Sequence, residues 1–313
     1  MAPTGDPIEV VACSDDGYAQ PLAVMLLSLF DCCRTRRVHV HLLVPRQFTQ
    51  QGRLTQALGE HRGLVAFRSV PDEPVCGLKT AGAVTVASYY RLLMAQVLPP
   101  EVSRVIYLDC DTIVREDLAK LWETPLGRYP LGAVPDKNFK HRHVLGLAEE
   151  AAYFNSGVLL IDLDRWRKAA IGTRALEFAA RHPERLTWGD QCALNWLLHD
   201  QWLQLDDSWN VQTADCGRMV DGEFRFYRKP PPPAGAGGIL HFTAAPGSPS
   251  AAVAKPWLYM CEHPFKGEYL SYVRRTPWRE RPADRYPHNV ILKSLRRYAP
   301  ALLPVYLGMR RFV

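Results

Sequence analysis

The stretch IEVVACSDDGYAQPLAVMLLSLF, residues Ile8–Phe30, decides the fold class. Ile8 to Ser14 is a short β-branched run that ends in the polar turn Asp15-Asp16-Gly17, and beyond it Leu22, Met25, Leu26, Leu29 and Phe30 recur at helical spacing. That order reads strand, turn, helix. Downstream, VHVHLLV (Val38–Val44), an expected helix after Pro45 and LVAFRSV (Leu64–Val70) repeat the rhythm of a parallel sheet with covered faces. The first part of the chain is therefore α/β. Pro71–Ala87 carries few periodic signals and is expected to be a mobile loop, leading into a helix over Ser88–Leu98 that Pro99-Pro100 stops. RVIYL (Arg104–Leu108), LGAVPD (Leu131–Asp136) and YFNSGVLLIDL (Tyr153–Leu163) predict further strands, several with polar residues at their C-terminal ends. In open α/β sheets that edge binds ligands, because loops and helix N-termini converge there. PPPPAGAGG (Pro230–Gly238) is the one low-complexity stretch and reads as a connector before the strand GILHF; no internal repeat is present.

The chain has 313 residues, 47% of them hydrophobic and 22% charged, which suits one extended globular domain or a domain plus an appendage. MAPTGDPIEV has no basic segment followed by a long apolar run, and Pro21–Phe30 is too short to span a bilayer, so nothing is expected to cross a membrane. The eight cysteines form no CxxC pair and sit mostly in apolar segments, which predicts reduced thiols and a cytoplasmic setting. From Lys266 to the end, 11 Lys and Arg stand against 3 Asp and Glu, so the preceding residues are slightly acidic although the whole chain carries +6. A nucleic-acid-binding body would line its own working face with basic residues; the basicity here belongs to the tail, and no nucleic-acid partner is expected.

Asp109-Cys110-Asp111 directly follows the apolar run RVIYL, so two carboxylates leave the sheet together. Such a pair suits Mg²⁺ or Mn²⁺ holding a diphosphate, whose oxygens complete the coordination shell. Two helix-capping aspartates in a solvated turn are the alternative, and the strand context favours the metal. His241 in GILHFTA again ends an apolar strand, and its imidazole would complete a shell with the carboxylates; Lys255 in KPW would neutralise a diphosphate. Each is unremarkable alone, and both gain meaning only if they converge with Asp109 and Asp111.

Together these residues resemble glycosyltransferase family 8, particularly its bacterial lipooligosaccharide and lipopolysaccharide galactosyl- and glucosyltransferases, with glycogenin more distant. The resemblance runs from Ile8 to Trp257 through ACSDDGYAQPLAVMLLSL, ASYYRLLMAQVLP, RVIYLDCDTIVREDLAKLWETPLG, YFNSGVLLIDLDRWR, WGDQCALNW and LHF with KPW, in that order. It implies a GT-A type fold: a Rossmann-like nucleotide-binding sheet flanked by helices, in a single catalytic domain over 1–265, with a basic and aromatic tail over 266–313. It also implies a UDP-galactose or UDP-glucose donor, a glycan or lipid-linked acceptor, and Mn²⁺ held by Asp109, Asp111 and His241, with Mg²⁺ a weaker substitute.

By the same resemblance the Cys13 backbone, Asp15 and Gly17 hold uracil and ribose, Tyr18 stacks near the base, and Arg91, Asp109, Cys110, Asp111 and Lys255 bind the rest of the donor. Asp136, Asn155, Asp190 and Gln191 line the donor sugar and its reacting face. Structural alternatives stand beside some of these: a helix-surface ion pair for Arg91, an N-cap for Asp190, backbone satisfaction at a strand start for Asn155. The family retains anomeric configuration; Gln191 is a poor nucleophile but its amide oxygen suits positive charge at the anomeric carbon, which favours front-face exchange over double displacement. Two departures stand out. Ala244 replaces the glycine usual after HFT, with Gly247 as a substitute for close approach, and the insertion between His241 and Lys255 leaves open whether Lys255 reaches the phosphates.

Two other functions compete. A nucleotidyltransferase would favour a glycine-rich basic loop where this chain has the acidic ACSDDGYA. A non-catalytic sugar-nucleotide-binding protein would keep the same binding residues, although intact Asp109, Asp111, His241 and Gln191 speak for an enzyme. In the tail, Arg274, Arg275, Arg279, Arg281, Lys293, Arg296, Arg297, Arg310 and Arg311 interleave with Tyr269, Tyr272, Trp278, Tyr286, Tyr298, Tyr306 and Phe312. That mixture suits an anionic membrane surface, which would make the protein peripheral on the inner face of the membrane, with packing on the body or an oligomer contact as the alternative. Pro277, Pro282, Pro287, Pro300 and Pro304 predict short helical pieces.

Overall fold

The computed structural model describes residues 6–80, 85–136, 138–140, 142–232, 235, 237–246, 253–258, 261–279, 295 and 299–302. The chain opens with β1 (Ile8–Cys13), α1 (Ala19–Cys32), β2 (Val38–Pro45), α2 (Gln51–Leu58) and β3 (Val65–Val70). These three strands are parallel, with Ile8 beside Val38 and Val40 beside Val65. Side chains alternate across a strand. Val10, Ala12, Val40 and Leu42 therefore pack under α1, while Val11, Leu43 and Val70 face a second core on the other side. Both faces are covered, as the apolar runs predict. The helix expected after Pro45 begins only at Gln51.

Val86–Leu93 forms a 3-10 turn, and only Met94–Val97 is α-helical (α3). Ser88 and the adjacent Tyr89-Tyr90 are weak helix formers, and both tyrosine rings are committed to the core, so tertiary packing overrides the helical pattern expected over Ser88–Leu98. Then come β4 (Arg104–Leu108), β5 (Thr112–Val114), α4 (Ala119–Trp122), β6 (Leu131–Pro135), β7 (Phe154–Asp162), α5 (Leu163–Lys168), α6 (Ile171–Arg181) and α7 (Gly189–Leu198). β8 (Leu203–Gln204), β9 (Val211–Gln212), β10 (Gly217–Val220), β11 (Glu223–Phe226), β12 (Ile239–His241) and α8 (Lys266–Val273) follow.

Among the described residues the main sheet has seven strands in the order β3-β2-β1-β4-β7-β6-β8. β7 runs antiparallel to both β4 and β6, and its register shifts between Ala133 and Val134 of β6. This reversal brings the start of β7 to the edge where β1, β4 and β6 end. A smaller sheet, β5-β12-β9, sets β12 antiparallel to β5 with His241 opposite Thr112. His241 is thereby carried alongside the residues that follow β4. The entry to β12 needs glycine: Gly238 has φ +74°, and a Cβ there would lie 1.8 Å from the Ser208 carbonyl oxygen.

The first part of the tail belongs to the packed body. Tyr269 and Val273 of α8 are buried in a third cluster with Val24, Ile113, Leu240 and Phe242. Arg115 pairs with Glu268, Arg275 pairs with Asp31 at the end of α1, and the Arg53 guanidinium lies 4.4 Å over the Trp278 ring. Packing, the alternative weighed against membrane contact, describes this segment. Pro300–Leu302 forms one short 3-10 turn. Arg281, Lys293, Arg296, Arg297, Arg310, Arg311, Tyr286, Tyr298, Tyr306, Phe312, Pro282, Pro287 and Pro304 lie outside the described residues, as does Gly247. Among the described residues no helix is long and apolar enough to cross a membrane, and no disulfide joins any of the eight cysteines.

Candidate active site

A cavity of about 810 Å³ opens at the edge where the strands converge. Its wall includes Cys13 and Asp15 after β1, Asp109 to Asp111 after β4, Asp136 after β6, Asn155 and Ser156 from β7, Asp190 and Gln191 from α7, and His241 and Lys255. The sites read separately from the sequence thus share one space.

At its centre, one ligand atom each from Asp109, Asp111 and His241 lies within 4.8 Å of the others. Each carboxylate divides its two oxygens. Asp109 Oδ1 accepts from Arg91 (2.9 Å) and the Tyr107 hydroxyl (2.8 Å), leaving Oδ2 facing His241 Nε2 at 3.7 Å. Asp111 Oδ2 accepts from the Lys255 ammonium, leaving Oδ1 at 3.3 Å from the same nitrogen. Burial works to raise the Asp111 carboxyl, but Lys255 and His241 outweigh it and hold the group below the usual carboxylate range. Two hard oxygens and an imidazole nitrogen, turned toward one point and braced from behind, fit a divalent metal ion.

Gly157 is part of that geometry. A Cβ there would meet His241 Cε1 at 2.1 Å and Asp109 Oδ2 at 2.8 Å, so only glycine lets β7 pass so close to the cluster. Lys255 also donates to the Phe242 carbonyl. The longer spacing from His241 therefore does not carry it away from the carboxylates, and Ala244 stands in the cavity wall.

Arg91 is 4% exposed, so the surface ion pair considered for it does not hold. Its guanidinium donates to Asp109, to the Ser156 carbonyl at 2.6 Å and to the Ser88 carbonyl at 3.0 Å, and lies 4.3 Å over the Tyr107 ring. Those bonds make it a brace behind Asp109. Its Nε is also 2.8 Å from Asp190 Oδ2, yet the N–H points to Ser88, so that buried oxygen has an ion pair and no hydrogen bond within the protein. Burial pushes the Asp190 carboxyl up to about 6 despite Arg91, and Asp109 adds to the rise. Asp190 is not the N-cap of α7, a position taken by Trp188.

Gln191 is clamped at both ends: its Oε1 accepts from Ser156 N at 3.0 Å and its Nε2 donates to Asp136 Oδ2 at 3.0 Å. Asn155 Oδ1 accepts from Gly157 N, a backbone role, while Asn155 Nδ2 donates to Asp136 Oδ2 at 3.4 Å. Asp15 Oδ1 caps the turn Asp16–Tyr18 by accepting from Gly17 N and Tyr18 N. Tyr18 stands in the wall and lies edge-on to Trp257 behind it. The Cys110 thiol donates to the Cys13 carbonyl at 2.9 Å, tying the end of β1 to the carboxylate pair. Gly17 is exposed and does not line the cavity.

Sequence reasoning missed Tyr107, Ser156 and Asn210, which hold the acidic and amide groups from behind. It also missed the outer wall, formed by Trp188 and by Arg218, Met219 and Phe224 of the β10–β11 hairpin. The one available signal was apolar side chains left open at a cavity mouth, and that is a tertiary property: Trp188 is 39% and Met219 50% exposed.

The sequence profile of Glycosyl transferase family 8 matches residues 9–261. The chain belongs to glycosyltransferase family 8. General stress protein A of Bacillus subtilis (strain 168) is 30% identical over 282 residues, covering 87% of this chain and 94% of that protein. Glycosyltransferase GlyF of Streptococcus pneumoniae is 32% identical over 226 residues, 68% of this chain and 53% of its own length. The lipopolysaccharide 1,2-glucosyltransferase of Escherichia coli (strain K12) is 26% identical over 69% of this chain and 62% of that protein. Among solved structures, the galactosyltransferase LgtC with donor and acceptor sugar analogues superposes with a TM-score of 0.73 at 24% identity, over 87% of this chain and 99% of that one. This family 8 protein therefore has the GT-A type fold and is a glycosyltransferase.

Proposed function

We propose that the protein moves galactose or glucose from a UDP-sugar to a glycan or lipid-linked acceptor, with Mn²⁺ and with retention of anomeric configuration. One observation carries this reading. The Asp109, Asp111 and His241 cluster shares a cavity with Lys255 on one side and with Asp136, Asn155, Asp190 and Gln191 on the other.

Asp109, Asp111 and His241 would hold a divalent ion, whose positive charge would be available to a leaving diphosphate. Lys255, already beside Asp111, adds a compact cation for the same negative charge. Asp190, beside Arg91 in the cavity wall, is assigned to a donor-sugar hydroxyl. The Gln191 amide, held by Ser156 and Asp136, cannot swing freely, so its oxygen stabilises charge without becoming a nucleophile. In front-face exchange the acceptor oxygen bonds the anomeric carbon as the diphosphate departs, and a diphosphate oxygen takes the acceptor's proton. The donor's uridine end lies toward Cys13, Asp15 and Tyr18. The acceptor enters at the mouth, where Trp188 and Met219 offer apolar surface to a sugar face or an alkyl chain. The basic tail supports a peripheral position on the cytoplasmic face of a membrane.

Incubation with a panel of UDP-sugars and Mn²⁺ should release UDP slowly without acceptor, preferentially from UDP-galactose or UDP-glucose. Asp109→Asn, Asp111→Asn or excess chelator should each nearly abolish the release. Donor binding with no release or transfer under any condition would instead favour a non-catalytic sugar-nucleotide-binding protein.

A further inference from the structure

Asn210 ends the turn Asp207–Asn210, just before β9, and is completely buried. It does not line the cavity, yet it touches two residues that do. Its Nδ2 lies 2.9 Å from Asn155 Oδ1, an oxygen that already accepts from Gly157 N. Only an N–H group can sit opposite such an acceptor, so the other end of the Asn210 amide, Oδ1, faces His241 Nδ1 at 3.0 Å. A carbonyl oxygen only accepts. His241 Nδ1 must therefore carry a ring hydrogen, so that the neutral ring, the form that ligates a metal, presents its lone pair on Nε2, the nitrogen turned toward Asp109 and Asp111.

We propose that Asn210 is a positioning residue that sets the metal-binding tautomer of His241 and links the metal cluster to the reacting face. The link runs from His241 through Asn210 to Asn155, from Asn155 Nδ2 to Asp136 Oδ2, and from Asp136 Oδ2 to Gln191 Nε2. Every member between His241 and Gln191 holds its neighbour by a directional bond, so a ring turned away at one end disturbs amide orientation at the other. The inference rests on reading Asp109, Asp111 and His241 as a metal site.

Two substitutions separate the two halves of the role. Asn210→Ala removes both bonds, and loss of such an outer partner lowers metal affinity by about 10- to 100-fold. Asn210→Asp keeps an acceptor for the His241 N–H but has no N–H for Asn155. Mn²⁺ binding, followed by the electron paramagnetic resonance of the free ion, should weaken by about 10- to 100-fold in Asn210→Ala and stay within about threefold of wild type in Asn210→Asp. Donor hydrolysis at saturating Mn²⁺ should nonetheless fall at least about tenfold in kcat for Asn210→Asp, with KM for the donor changed less. Both variants are compared at matched thermal stability. A third measurement needs no variant of Asn210: ¹⁵N NMR of the metal-free wild type should show a hydrogen on Nδ1 of His241, assigned by its loss in His241→Gln.

Equal loss of Mn²⁺ affinity in the two variants, or unchanged affinity in Asn210→Ala, overturns the proposal. So does an Nε2–H tautomer in a wild type that binds Mn²⁺. A wild type that shows the Nδ1–H form but ignores Mn²⁺ sinks the metal-site reading itself, and with it the use assigned to the tautomer.

Discussion

Replacing Gly157 with alanine would place a methyl group 2.1 Å from His241 Cε1, 2.7 Å from its Nδ1 and 2.8 Å from Asp109 Oδ2. Carbon atoms rest about 3.5–4.0 Å apart, so the ring must retreat by about 1.4 Å or β7 must bend. Bending is opposed on both sides: the Gly157 carbonyl accepts from Asp109 N at 2.8 Å, and Val158 pairs with Leu108 in the sheet. Retreat is opposed by Asn210 behind the ring. Metal ligands tolerate displacements of about 0.2 Å, so a shift several times larger removes the imidazole as a ligand. Loss of an outer partner alone costs about 10- to 100-fold in affinity, and loss of a ligand should reach or exceed the upper end of that range. Overpacking costs about 1–3 kcal/mol, and the smaller unfolded-chain entropy of alanine returns about 0.4–1, leaving about 1–2 kcal/mol of destabilisation. For a chain of 313 residues that is a fall in Tm of roughly 1.5–3 °C. Thermal melts in chelator measure the stability part, and Mn²⁺ titration measures the affinity part. The pair Gly157→Ala and His241→Ala supplies the control, since removing the ring should remove most of the clash and give a coupling of about 1 kcal/mol. A Gly157→Ala protein with wild-type Tm and Mn²⁺ affinity would refute the packing argument. A melting penalty that is the same with and without His241 would refute its cause.

Burial, aided by Arg115 and Lys255, pushes the His263 imidazole down to about 3, against about 6.5 unfolded. The folded chain then binds fewer protons than the unfolded one, so this stability is whole above about pH 6.5 and drains at up to about 1.4 kcal/mol per pH unit as pH falls toward 3. His263→Phe, in the nest of Phe226, Phe242 and Phe265, should flatten the curve of Tm against pH between 6 and 4; an unchanged slope would count against this account. Asp190 is the opposite case, with a folded value of about 6 above an unfolded value of about 3.9. Its contribution is full below about pH 4 and lost as pH rises through 6, so Asp190→Asn should melt no lower than wild type at pH 7.5, lose that advantage at pH 4, and release UDP at least about tenfold more slowly. A lower Tm at pH 7.5 would contradict it. Tyr269→Ala should cost about 3–5 kcal/mol by opening a void in the third core cluster, whereas a chain ending at Arg279 should lose affinity for anionic vesicles if the tail binds membranes. Equal vesicle binding with and without residues 280–313 would remove the membrane role.

Local pattern was enough to read the strand-turn-helix at Ile8–Phe30 and the carboxylates after Arg104–Leu108, because strand periodicity and strand ends are written in neighbouring residues. The six family motifs carried the identity of the site for the same reason. The direction of β7 was not legible: Phe154–Asp162 is buried along nearly its whole length, and such an apolar run looks the same whether its partners run with it or against it. That direction is what delivers Asn155 and Ser156 to the ligand edge. Sequence identifies Arg91 as a cation but not what surrounds it; acceptors from two other segments, Asp109 and Ser156, make it a brace behind the carboxylate pair as well as part of the cavity wall. Asn210 had no local signal at all, since its importance lies in two bonds to residues 31 and 55 positions away. The sequence by itself determined the elements and the chemical groups at their ends. The tertiary structure decided which groups meet and which oxygens stay free, because hydrogen-bond direction and burial arise only when distant segments pack together.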